Sequence, residues 1–402
     1  MRGTMCFWIN QIYFMDISKN LFPISDFLYI LQLEEYETSR YFYRLKRFFW
    51  RRNIQKRGKL VWTKRIKITM VLALPFCILL FPLTPIWIGL SNWILTPYFE
   101  NIKLNIQKRA REYFSKNNKR TKVIAIAGSY GKTTTKNYIY ELVHYNYKTQ
   151  MIPGNINTPT GIANWILNNF DPTSELLIVE VDSYFIGEIR RSLAITPPDI
   201  AILTNVGDQH LERLGTKRNL SIALNEVFKY AKPNAIKINN KKTNLDYALE
   251  VAKILNIPKD IIADSVKKLV KPERRGDVKV INNFEVIDDS YNISETTAKA
   301  GIDNAVKLAN IKHKKLIVIT AGIPELGEEN INANKNLGEY LVKKSNRIIL
   351  LKSVLYTEVL NNSEKFTLAD DLTHAWELLR DYNPKKFLIL MQPELNDLYY
   401  DA

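Results

Sequence analysis

Residues 122–145 read KVIAIAGSYGKTTTKNYIYELVHY, and the order of elements in this stretch decides the fold. Lys122 to Ala127 is short and almost wholly apolar, as expected of a strand buried on both faces of a parallel sheet. Gly128-Ser-Tyr-Gly131 follows, then Lys132-Thr133-Thr134 and a stretch of helical character. Strand, glycine loop and helix in that order give the setting a phosphate-binding loop needs. Glycines let backbone N–H groups approach phosphate oxygens, and the start of a helix adds a favourable dipole. Lys132 would reach the terminal phosphates and Thr133 would hold Mg²⁺. The GxxGKT spacing is two residues shorter than the common GxxxxGKT loop, and a plain strand-to-helix turn could use the same glycines.

Further along, the strand pattern repeats as LLIVEV (176–181), carrying Glu180 near its end, and as IAILTN (200–205), ending on Asn205. VGDQHLERLG (206–215), with His210, comes next. Ligands bind beyond the carboxyl ends of strands in an open parallel sheet, so Glu180, Asn205 and His210 are candidates to converge on phosphate and metal. Taken singly, each has an ordinary reading: a solvated strand-end carboxylate, a turn amide, a satisfied histidine. NFEVIDD, KLIVIT, RIILL and FLILM then alternate with helical stretches, which predicts a second, smaller α/β domain.

Several segments in one order carry a resemblance: GSYGKTTT (128–135), GNINTPTGIA (154–163), IVEVDSYFIGEI (178–189), AILTNVGDQHLERLG (201–215), KPERRGD (271–277) and IDDSYNISETTAKAGIDNA (287–305), then VITAGIPELGEENINANKNLGEYL (318–341). From about Lys122 onward the chain resembles the Mur ligase family, most of all its branch that adds D-alanyl-D-alanine. The resemblance implies an ATP-dependent amide ligase of cell-wall peptidoglycan precursor synthesis. In that family a substrate carboxylate is activated as an acyl phosphate and attacked by an amino-acid or dipeptide amine. Carried over by position, Gly128, Gly131, Lys132, Thr133 and Thr134 would hold the phosphates. Thr133, Glu180 and His210 would surround Mg²⁺, with Lys132, His210 and Asn205 serving catalysis. Arg274 or its neighbour Arg275 would reach the nucleotide, and Asp289, Tyr291 and Asn292 would close over ATP.

Departures from the family pattern matter as much. The usual N-terminal domain for the UDP-sugar is missing, and residues such as LYILQLEEY are instead similar to membrane-attached relatives of this layout. Several tens of residues appear deleted between Lys237 and Asn244. The lysine that the family carbamylates has no counterpart, because Leu224 or Glu226 occupies its place. Asp182 stands where the family's Glu-x-Gly has glycine, so Asp182 or Glu226 would have to supply the missing metal-ligand charge.

The N-terminal part accounts for the charge. The chain has a formal net charge of +16, with 12 Lys/Arg and no acid between Arg40 and Lys67 and 8 Lys/Arg against Glu112 between Asn101 and Lys122. The remainder is close to neutral, so charge gives no reason to expect a nucleic-acid partner. Between the two basic stretches lies ITMVLALPFCILLFPLTPIWIGLSNWILTPYF (68–99), 32 residues without a charge. About 20 apolar residues cross a bilayer core. Pro75, Pro82 and Pro85 oppose one straight helix, leaving a kinked span or a re-entrant hairpin turning near Pro82–Pro85. Basic flanks on both sides favour the hairpin, with both ends cytoplasmic. The aromatic and cationic run before it suits an anionic membrane surface.

The expected fold class is α/β: a shortened P-loop Mur ligase central domain and a C-terminal Rossmann-like α/β domain, preceded by a helical membrane-anchoring region. The expected divisions are a basic aromatic juxtamembrane region (1–67), a transmembrane or re-entrant segment (68–99), a basic linker helix (100–120), the ATP-binding central domain (121–272) and the C-terminal domain (273–402). Expected partners are membrane lipids, a muramoyl-peptide or lipid-linked wall precursor, and an amino acid or dipeptide donor, at the cytoplasmic side of the cell membrane. The alternative is a nucleotide-binding scaffold or regulator with weakened ligase activity. Composition excludes other classes: 15 Gly and 16 Pro are too few for a collagenous chain, and Cys6 and Cys77 form no metal or disulfide framework.

Overall fold

The computed structural model describes residues 24–48, 60–79, 83–154, 156–207, 211–270, 274–291, 293–323, 326, 330–351 and 364–393. These fall into two compact units, one before Lys103 and the other from Lys103 onward.

In the second unit β1 (Lys122–Ala127) is the middle strand of a five-stranded sheet ordered β2-β3-β1-β4-β5. Its partners are β2 (Thr149–Met151), β3 (Leu176–Glu180), β4 (Ile200–Leu203) and β5 (Ile236–Ile238), all parallel. β1, β3 and β4 are buried apolar runs, as their composition predicts; Ile124 and Ile126 face one hydrophobic layer, Val123 and Ala125 the other. The chain leaves β1 toward one edge to form β2 and β3, then returns to the other side for β4 and β5. The carboxyl ends of β3, β1 and β4 therefore lie side by side at the reversal, with Ile126 opposite Glu180 and Ala127 opposite Leu203.

A second sheet has six strands ordered β10-β9-β8-β11-β7-β6. It comprises β6 (Asp277–Ile281), β7 (Phe284–Asp288), β8 (Lys315–Thr320), β9 (Arg347–Leu351), β10 (Phe366–Ala369) and β11 (Phe387–Gln392). All pairs are parallel except β6 with β7, a hairpin turned by Asn282 and Asn283 at φ 49° and 65°. Positive φ at both central residues is what a two-residue hairpin with right-twisted strands requires. After β5 the chain runs through 239–243 directly into helix Asn244–Ile254, opened by a capping box between Thr243 and Asp246.

The N-terminal reading needs correction. Among the described residues no helix is long and apolar enough to cross a membrane. Of the uncharged run, residues 68–79 and 84–99 belong to two helices, Lys64–Leu79 and Thr84–Asn117. The first is 16 residues long and opens on charged Lys64, Arg65 and Lys67; the second loses its apolar character after Phe99. They run antiparallel: Arg65 donates to Asn92 Oδ1 at 2.8 Å, and Phe76 stacks on Trp87 with centroids 4.9 Å apart. The aromatic and cationic run also begins as a packed helix, Thr38–Phe48, rather than a free surface helix. Tyr41 is fully buried, its hydroxyl donating to Pro85 O at 2.9 Å, while Arg40 and Arg44 both donate to buried Glu34 at 2.7 Å. Residues 49–59 of that run lie outside the described residues.

No separate linker helix exists at 100–120, because helix Thr84–Asn117 runs through the expected boundary. In the second unit its last turns bury Ala110 and Phe114, Phe114 lies 4.8 Å from Phe170, and Gln107 donates to Thr160 Oγ1 at 3.1 Å. This end is part of the core despite its charge. Phe114→Ala will therefore destabilise the second unit by about 3–5 kcal/mol in urea unfolding, where a solvated linker residue would cost almost nothing.

Candidate functional site

The loop after β1 follows a path open only to glycine at two points. Gly128 has φ 142°, and a Cβ there would lie 2.0 Å from Thr204 Oγ1; Gly131 has φ 81°, and a Cβ would lie 2.3 Å from Asn244 Oδ1. Thr204 Oγ1 is 2.6 Å from Tyr130 O, and Ser129 N–H donates to Asn205 O at 2.7 Å, so the end of β4 fixes the loop. Asn205 contributes its backbone to this contact while its side chain is exposed. Helix Lys132–Val143 then starts at Gly131 with no side chain capping its N-terminus. An uncapped helix start behind a glycine loop, with a lysine beside it, fits a phosphate group.

Around this start the charged side chains form one buried network. Thr133 Oγ1 donates to Glu180 Oε2 at 2.9 Å, and Lys136 Nζ lies 3.2 Å from the same oxygen. Lys136, only 1% exposed, also donates to Ile152 O at 3.1 Å and Gly154 O at 2.7 Å. Asn157 Nδ2 donates to Glu180 Oε1 at 3.4 Å. Burial pulls the Lys136 ammonium below its usual range, opposed by the attraction of Glu180. Lys132 Nζ donates to Gly128 O at 2.6 Å and pairs with Asp182 Oδ2 at 3.0 Å. Thr134 is buried in the first turn.

From the β6 side, Arg275 Nη2 donates to Thr133 Oγ1 at 3.0 Å, and its guanidinium lies 4.2 Å over the Tyr291 ring. Burial lowers the Arg275 pKa, offset by Tyr291, Glu180 and Asp289. Arg275, rather than Arg274, is the arginine that reaches the loop. Arg274 is held at φ 61°, which turns its side chain back to donate to Ser290 Oγ at 3.0 Å and Ser290 O at 3.2 Å. Asp289 accepts from Gln392 Nε2 at 3.1 Å, beside Gly301. His210 and Asn292 lie outside the described residues.

Lys136 was not read from the sequence as part of the site. Lys136 follows Lys132 by one helical turn, and that i,i+4 spacing is the signal that places both on one face. Glu226, weighed as a source of metal-ligand charge, is buried and accepts the Arg190 N–H at 3.0 Å in the first turn of helix Glu188–Ile195. Among the described residues no three His, Cys, Asp or Glu side chains stand together as a metal cluster. The Thr133 hydroxyl and Glu180 carboxylate are a pair of hard oxygens that suit Mg²⁺, which takes few protein ligands and fills its shell with phosphate oxygens and water.

At the end of β7 Asp288 accepts from Ser290 Oγ at 2.6 Å and from Lys279. Burial pushes the Asp288 carboxyl up, but Lys279 and Ser290 outweigh it and hold the carboxyl below its usual range. An acid depressed in the folded state stabilises the fold above its unfolded pKa of about 4 and loses that contribution as pH falls through the lower folded value. The urea midpoint will drop in this acid window, and Asp288→Asn will remove that part of the slope in titrations from about pH 6 to about pH 3.

Residues 126–263 match the family model described as the Mur ligase middle domain. The chain is 31% identical over 118 residues to the UDP-N-acetylmuramoyl-tripeptide–D-alanyl-D-alanine ligase of Bacillus subtilis (strain 168), covering 29% of this chain and 26% of that protein. To the ligase of the same name from Borreliella burgdorferi it is 25% identical over 275 residues, covering 54% of this chain and 59% of the relative. The chain thus spans less than two thirds of these curated relatives' length. The crystal structure of the MurF ligase from Thermotoga maritima in complex with ADP superposes with a TM-score of 0.64 at 23% identity, over 72% of this chain and 80% of that one, a likeness of fold. Residues 126–263 thus match the Mur ligase middle domain, and in sequence the chain is similar to D-alanyl-D-alanine-adding ligases over part of their length.

Proposed function

We propose that the chain is an ATP-dependent amide ligase of peptidoglycan precursor synthesis. The observation that carries this reading is the meeting of Thr133, Glu180 and Arg275: a loop hydroxyl, a strand-end carboxylate and a cation from beside the second sheet. The relatives' names supply the chemistry, a muramoyl tripeptide as the acid and D-alanyl-D-alanine as the amine. For this chain the acceptor class is a muramoyl-peptide, free or lipid-linked, and the donor an amino acid or dipeptide.

ATP is the phosphoryl donor in this reading. A carboxylate oxygen of the acceptor attacks the γ-phosphorus, the bond to the bridging oxygen breaks, and ADP leaves. The amine then attacks the acyl carbon, forming the amide and expelling phosphate. The loop N–H groups and Lys132 hold and neutralise the phosphates, and Arg275 adds a cation where negative charge builds. Mg²⁺ at Thr133 and Glu180, with His210 as a further candidate, would supply charge neutralisation at the phosphate oxygens. Lys136 and Asn157 hold the Glu180 carboxylate in place.

A second reading, a nucleotide-binding scaffold with weakened ligase activity, draws on one observation. The positions that align with the family's carbamylated lysine are buried Leu224 and Glu226, and the latter is engaged by Arg190 N–H. The test is phosphate release by the purified protein with ATP, Mg²⁺, muramoyl-peptide acceptors and D-alanyl-D-alanine or single amino acids. The ligase reading expects release that needs both acid and amine and falls at least about a hundredfold in Lys132→Ala. ATP binding with no turnover on soluble or lipid-linked acceptors would favour the scaffold.

The helical hairpin is the proposed attachment to the cytoplasmic face of the cell membrane. Ile78, Leu79 and Trp93 are 72%, 78% and 65% exposed, and Ile86, Leu90 and Ile94 add to the exposed apolar surface. The basic stretches on either side match an anionic lipid surface. Replacing Ile78, Leu79 and Trp93 together by Ser should weaken cosedimentation with phosphatidylglycerol vesicles by more than about tenfold, since three large apolar side chains lose their burial. Unchanged sedimentation would remove the hairpin from the attachment.

A further inference from the structure

Lys132 and Asp182 form an ion pair that the proposed chemistry does not use. Lys132 Nζ lies 3.0 Å from Asp182 Oδ2, and the two side chains are 4% and 11% exposed. Asp182 is itself fixed, because its Oδ1 accepts the Ser183 N–H at 2.9 Å. Lys132 Nζ also donates to Gly128 O at 2.6 Å and reaches Ser129 O at 3.4 Å, so the ammonium is folded back onto its own loop. Close by, Glu180 is paired with Lys136. Both ammonium groups at the start of helix Lys132–Val143 thus face carboxylates already.

This arrangement has a consequence for an incoming polyphosphate. The phosphates require Lys132, yet drawing Lys132 away exposes them to the fixed charge of Asp182 in a site largely closed to water, where charges interact strongly. A divalent cation on the polyphosphate lowers its charge and gives Asp182 a new counter-ion. We propose that Asp182 is a positioning residue that parks Lys132 and makes nucleotide loading dependent on a divalent cation. The proposal rests on the reading of the loop as a nucleotide site and adds a specific task for the carboxylate after β3.

The experiment compares the dissociation constants of ATP in EDTA and in Mg²⁺ by calorimetry for the wild type, Asp182→Asn and the charge-conserving Asp182→Glu. The wild type should bind MgATP and bind metal-free ATP far more weakly. Asp182→Asn should tighten metal-free ATP about tenfold and shrink the metal dependence by the same factor. Asp182→Glu should keep the wild-type pattern. The wild type alone gives a second check by thermal melting: MgATP should raise Tm, and ATP in EDTA should leave it nearly unchanged. Equal binding or stabilisation of the wild type with and without metal would overturn the role of Asp182 while leaving a nucleotide site. A metal dependence in Asp182→Asn equal to the wild type's would overturn it too. Absence of ATP binding in every condition would overturn the nucleotide reading and this proposal together.

Discussion

A carboxylate at the end of a buried parallel strand has to be compensated, and Glu180 shows how that requirement organises the site. It is 3% exposed, and Thr133, Lys136 and Asn157 all turn toward it. Lys136 and Thr133 lie on the helix that begins at Gly131, while Asn157 comes from the turn before helix Pro159–Asn169. One buried charge therefore ties the sheet, the phosphate loop and the following turn into a single arrangement. Leaving any of these groups unpaired in so closed a place would cost more than an ordinary hydrogen bond gives.

The strands that build this arrangement were legible for a simple reason. β1, β3, β4, β8, β9 and β11 are buried on both faces, so their apolar runs stand out without any periodic pattern. β2, β5, β6 and β10 were not separately read: they are short or lie at edges, and β6 alternates between half-buried and exposed residues. The loop glycines and Glu180 were legible from spacing. The choice between Arg274 and Arg275 was not, because it depends on a left-handed backbone conformation at Arg274.

The uncharged run 68–99 shows the opposite difficulty. Hydropathy registers how apolar a segment is, while its shape depends on polar residues outside the run or hidden within it. Arg65 donates to Asn92 and Thr96, Asn92 donates to Tyr36 O, and that polar clamp holds two helices against each other where length alone suggested a span. The second of these helices continues past the uncharged run, and its basic composition concealed the face carrying Ala110 and Phe114.

That last feature bears on the order of synthesis. The chain is made from its N-terminus, so Ala110 and Phe114 leave the ribosome ahead of most of the buried cluster they join, which includes Phe170 and side chains of β1 and β3. Until β3 has emerged and paired with β1, the helix carries an apolar stripe with no sheet to cover it, the kind of transient exposure that invites aggregation or chaperone capture. Lysines and arginines along the rest of the same helix keep the waiting segment hydrated. A charge pattern that looks redundant in the finished fold thus serves the nascent chain.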